Sequence, residues 1–185
     1  SEVDRLITEL RRSTKRVEEE VRRLIEDSKR STREVAERVK ESIRRVEKVV
    51  EEVKRRVDRI KDEEKIRELL RRLEEILKRA HDENEKLLEE NDRVSDEVLE
   101  RIEKLLKENE EVVRRVLKEV EDRITDEDIR RKIEEVVKEV KEETDRLREE
   151  AEKVVRENRK ASEKLRRESE EVVERVKKKV DDTET

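Results

Sequence analysis

The side chains able to do chemistry in this chain are few in kind. His81 is the only histidine, cysteine is absent, and the other charged groups are 58 carboxylates and 53 lysines and arginines. A metal site at His81 would need further imidazole, thiolate or core carboxylate ligands at fitting distances. Nucleophilic catalysis would need an activated hydroxyl beside a base that a third group orients. The spacing around His81 offers neither, so no catalytic, cofactor or metal site is expected. The remaining unusual residues are Thr14, Ser28, Thr32, Ser42, Asn84, Asn91, Ser95, Asn109, Thr144, Asn158, Ser162 and Ser169. Each stands in a helical apolar stripe where Leu or Val is the ordinary occupant. Hydroxyls and amides in such places have one chemistry to offer, which is hydrogen bonding.

Composition narrows the class. Sixty per cent of the 185 residues are charged, 29% are hydrophobic, and Gly, Pro, Met, Trp, Tyr and Phe are all missing. Such a chain is either a disordered polyampholyte or a set of long helices, and only the order of residues separates the two. The formal net charge of -5 comes without a basic stripe, which argues against a nucleic-acid partner. No apolar run is longer than two residues, so neither a membrane span nor a signal-peptide core is expected and the protein reads as soluble.

The elements that must position the polar residues follow from apolar periodicity. Val3, Ile7, Leu10, Val17, Val21, Leu24, Val35, Val39, Val46, Val53 and Val57 advance in steps of three and four, the signature of an amphipathic helix. The pattern restarts at Ile66 and again at Ile129. Helix 1 is predicted over about 2–60, helix 2 over about 63–124 and helix 3 over about 127–180, with residues 181–185 a frayed tail. Asp62 and Asp126 stand at the two breaks as N-caps, each followed by acids that complement the helix dipole. Helices of about 55–60 residues are roughly 80–90 Å long, and connections this short force antiparallel neighbours. An all-α, up-down-up three-helix bundle is therefore expected, with residues 1–185 forming one domain.

This topology is testable from residue numbers alone, because residues equidistant from a break must lie level. Apolar residues then meet apolar ones: Val3 with Val120 and Ile133, Val21 with Ile102 and Ala151, Val46 with Leu77 and Val176. The polar residues obey the same rule. Thr14 meets Asn109 and Thr144, Ser28 meets Ser95 and Asn158, and Thr32 meets Asn91 and Ser162. Ser42 meets His81, and Asn84 lies level with Ser169. An unpartnered buried amide costs about 1–3 kcal/mol, so matched polar layers satisfy one another and penalise a slipped register. His81 is expected as a neutral imidazole bonded to Ser42. The charge-rich faces read as solvated surface, studded with acid-before-base pairs such as Glu18/Arg22 and Glu52/Arg56.

These features together resemble computationally designed helical bundles with buried hydrogen-bond networks. The resemblance spans the whole chain and rests on three equal helices, the caps Asp62 and Asp126, the polar layers, and Glu/Lys/Arg surfaces. It implies a structural scaffold without natural enzymatic activity, needing no cofactor and no partner, and monomeric. The alternative it leaves open is a self-assembling or helix-binding module that uses its surface or exchanges helices. In one respect the chain departs from such bundles: no Gly ends a helix and no Pro follows a cap.

Overall fold

Each helix begins on an oxygen that the sequence places just ahead of it. Ser1 Oγ accepts from the amide of Asp4 at 3.3 Å, Asp62 Oδ1 from Glu64 at 3.0 Å, and Asp126 Oδ1 from Asp128 at 2.9 Å. The carbonyls of the same residues accept the first helical bonds, from Arg5, Ile66 and Arg130. The result, in a computed structural model that describes residues 1–184 and side chains 1–182, is three helices. They are α1 (Glu2–Arg59), α2 (Glu63–Arg123) and α3 (Glu127–Glu184). Helix α3 continues through residues 181–184, which correct the expected frayed tail, while Thr185 lies outside the described residues.

The connections at 60–62 and 124–126 work without glycine because neither needs a left-handed residue. Among the described residues no backbone φ is positive. The end of α2 is instead closed by a side chain from the next helix. Arg130 donates from Nε to the Ile124 carbonyl at 2.6 Å and from its terminal nitrogen to the Glu121 carbonyl at 3.1 Å. A cation at a helix C-terminus satisfies orphan carbonyls and complements the dipole, the work a glycine cap otherwise does.

The fold is an all-α, antiparallel three-helix bundle, and it divides into two compact units. The first comprises Ser1–Lys29 and Val94–Glu157; the second comprises Arg30–Arg93 and Asn158 onward. In the first unit Glu2 pairs with Arg123, Arg5 with Glu119, Glu9 with Arg115 and Glu20 with Arg101, so α2 descends as α1 ascends. Its core has two apolar clusters. One gathers Leu6, Leu10, Val116, Val120 and Ile133, with Ile124 closing the end; the other holds Val21, Ile102, Leu106, Leu147 and Ala151. The second unit packs Val46, Leu77, Val172 and Val176 in one cluster and Val39, Leu88 and Leu165 in another. Burying a Leu or Val side chain contributes about 1.5–3 kcal/mol, whereas the surface pairs contribute a few tenths each. Leu6 is a core residue that the stripe through Ile7 and Leu10 does not reveal.

Candidate functional site

Between the two apolar clusters of the first unit lies a polar level built on Asn109, which is only 1% exposed. Its side-chain amide donates to Thr14 Oγ1 at 3.2 Å, and its carbonyl oxygen accepts from Ser13 Oγ at 2.5 Å. One asparagine on α2 thus holds two consecutive residues of α1. The third expected member behaves differently. Thr144 is buried, but its hydroxyl donates to the Lys141 carbonyl one turn back in α3, at 3.0 Å. Hydroxyls of helical Ser and Thr commonly turn to their own backbone in this way.

The second unit contains the same arrangement around Asn91. Its amide donates to Thr32 Oγ1 at 2.9 Å and its carbonyl oxygen accepts from Ser31 Oγ at 3.1 Å. Ser162 of α3 is buried, as are Asn84 and Ser169. His81 and Ser42 are both half-buried, and the expected bond between them is not the one formed. His81 Nδ1 lies 2.9 Å from Ser169 Oγ, so the imidazole turns to α3 rather than α1. Ser169 lies within one turn of the level of His81, close enough for the imidazole to reach, and levels drawn from residue numbers do not choose between such neighbours. Ser28 and Ser95 in the first unit and Asn158 in the second are buried, and none lacks a partner.

Two half-buried arginines on α3 complete these levels. In the first unit Arg148 donates from Nε to Glu103 at 2.8 Å and from a terminal nitrogen to Glu110 at 3.0 Å, with Asp145 at 3.3 Å. In the second, Arg166 donates from Nε to Glu85 at 2.8 Å and from a terminal nitrogen to Asp92 at 2.9 Å. The other Asp92 oxygen, Oδ1, is buried without a hydrogen bond. The Arg148 pKa is raised above the ordinary arginine value, chiefly by the hydrogen bond to Glu110 and despite burial. At Arg166 burial opposes the charge, and the bonds and charges of Asp92 and Glu85 more than offset it.

Ser13, Ser31, Arg148, Arg166 and their four acids are the residues that a stripe-based reading misses, because all sit beside the apolar stripe. A signal was present nonetheless. Ser13-Thr14 and Ser31-Thr32, Asn109 and Asn91, Thr144 and Ser162, and Arg148 and Arg166 are each eighteen positions apart. So are Glu103 and Glu85, and Glu110 and Asp92. Eighteen residues make five turns of α-helix, so the recurrence keeps each residue type on one helix face.

Surface chemistry is sparse by comparison. An open groove between α1 and α2 in the first unit is bordered by Arg5, Glu9, Arg12, Ser13, Val112 and Arg115, charges of both signs. Among the described residues no three His, Cys, Asp or Glu side chains group as a cation site, and no helix is long and apolar enough to cross a membrane. No family model matches the sequence, and no curated protein matches it either. A solved structure described as a computationally designed three helix bundle is similar over 98% of this chain and 85% of its own, at 24% identity and a TM-score of 0.58. That likeness shows the fold.

Proposed function

We propose that this chain is a designed structural scaffold, without natural enzymatic activity, whose buried polar levels select one helix register. The observation that carries the reading is Asn109: a fully buried amide whose donor and acceptor sides are both engaged by neighbours on another helix. Replacing buried polar groups by well-packed apolar ones is often neutral or stabilising, so such groups are poorly explained as a source of stability. They are well explained as a penalty on alternatives, since a slip of α1 by one heptad sets Asn109 against Ile7 or Val21 and orphans its amide at about 1–3 kcal/mol. The designed bundle to which the fold is similar supports the scaffold reading.

On this reading the chain is a monomer that folds as one domain. Light scattering behind size exclusion should give one species near 22.6 kDa. The specificity claim is tested by replacing Asn91, Asn109 and Asn158 together with Leu. The variant should remain helical by circular dichroism yet show more than one hydrodynamic species or doubled amide resonances. A triple variant as homogeneous as its parent would overturn the reading.

A further inference from the structure

The levels of Asn109 and Asn91 tie α1 to α2, and at these two levels the alignment of α3 falls to other groups. Thr144 spends its hydroxyl on its own helix, and Asn109 and Asn91 are engaged by α1. At these same levels the bonds from α2 to α3 come from arginine. We propose that Arg148 and Arg166 specify the pairing of α2 with α3 at these levels, beside the His81–Ser169 contact further along the bundle, each as a clamp across two carboxylates seven positions apart. The proposal rests on the reading that polar groups set the register, and assigns the second half of that task.

Geometry separates these two arginines from the ordinary surface pairs. Arg5, Arg22 and Arg115 keep more than half of their side chains in solvent, whereas Arg148 and Arg166 are 26% and 23% exposed. Exposed pairs contribute little and tolerate many geometries. A guanidinium is planar, with donors in a fixed fork, so Nε and a terminal nitrogen can serve two acids only from a place between them. Glu103 and Glu110, like Glu85 and Asp92, are two turns apart, a rise of roughly 10 Å. Each arginine therefore reads a position along α2, which a single ion pair on a flexible stem does not.

The neighbouring residues make the reading selective in both directions. Sliding α3 by a heptad one way trades Glu103 for Leu117 at Arg148, and Glu85 for Leu99 at Arg166. Sliding it the other way leaves Arg148 an acid in Asp96 but brings Lys78 to Arg166. One direction strips both arginines of an acid; the other sets like charges together.

The test uses the full chain, whose lack of cysteine allows clean spin labelling. Labels at Lys15 and Lys107 report α1 against α2, and labels at Lys107 and Glu149 report α2 against α3. Arg148→Met with Arg166→Met keeps the aliphatic stems and their packing. In this variant the Lys107–Glu149 distance distribution should broaden or gain a second maximum, as a heptad slip of roughly 10 Å along the axis requires. The Lys15–Lys107 distribution should stay as in the parent. Lysine at both positions keeps the charge without the fork and should not restore the parent distribution. Asn109→Leu should do the converse, broadening Lys15–Lys107 alone. If the methionine variant leaves Lys107–Glu149 narrow while Asn109→Leu broadens its own pair, the clamp proposal fails and the reading of the asparagines stands. If neither distribution changes, both fail. Broadening of both distributions by the methionine variant means general loosening, and also overturns the proposal.

Discussion

Asn109→Ala and Asn109→Leu should behave very differently, and the structure says by how much. Alanine removes an amide that is 1% exposed, breaks its bonds to Thr14 and Ser13, and leaves the buried Thr14 hydroxyl without its partner. The lost hydrogen bonds and the unfilled cavity together should cost about 2–4 kcal/mol. For a chain of this size that is a fall of roughly 4–16 °C in Tm. Leucine conserves volume and joins the clusters on either side. In either variant Thr14 can turn to the Leu10 carbonyl one turn back, as Thr144 does to Lys141, so the two differ chiefly by the cavity. The net change should stay within about 1.5 kcal/mol of the parent. With no Trp or Tyr for fluorescence, the assay is guanidinium unfolding followed by far-ultraviolet circular dichroism. A leucine variant that loses as much as the alanine variant would show the hydrogen bonds themselves to be the source of stability. An alanine variant within about 0.5 kcal/mol of the parent, the range of an ordinary surface change, would refute the network outright.

The remaining expectations concern the helix ends, the surface and pH. Asp62→Ala and Asp126→Ala each remove a bond to a free helix amide and should each cost about 1 kcal/mol in the same unfolding assay. Arg130→Met should speed amide hydrogen exchange around residues 121–126 while leaving the connection at 60–62 unchanged, since its side chain closes only the end of α2. Ile76, the most exposed large apolar residue at 48%, should accept Lys with a change within about 0.5 kcal/mol. Arg148 and Arg166 have raised pKa values, so while their partner carboxylates are ionised their contribution is fully present up to the unfolded arginine value and is lost only as the pH rises beyond it. The stability difference between the parent and Arg148→Met should therefore be the same at pH 7 and pH 9.5.

What could be read in the sequence divides along a physical line. Apolar spacing fixes where a helix runs and which face is covered, so α1 to α3 and layers such as Val21/Ile102/Ala151 were legible, as were the caps Asp62 and Asp126. Level arithmetic brought Asn109 to Thr14 and Asn91 to Thr32 for the same reason. It did not find Ser13 and Ser31, which lie one position off the stripe, where polar residues usually face solvent. Nor did it choose between Ser42 and Ser169 for His81, because both hydroxyls lie within a turn of its level and the side-chain torsion decides that contact. Arg148 and Arg166 were hidden by composition: among 53 basic residues, two that bridge acids on a neighbouring helix look like all the others. Only the eighteen-residue recurrence marks them, and periodicity searches tuned to single helical turns pass over it.

The most direct measurement concerns the asparagine side chains themselves. In the 15N-labelled protein each of Asn91 and Asn109 should give one pair of side-chain amide resonances, protected from solvent exchange. Their protons should show nuclear Overhauser contacts to Thr32 and Thr14 respectively, across α2 and α1. Doubled resonances, fast exchange, or contacts to residues a heptad away would contradict a single register held by buried amides.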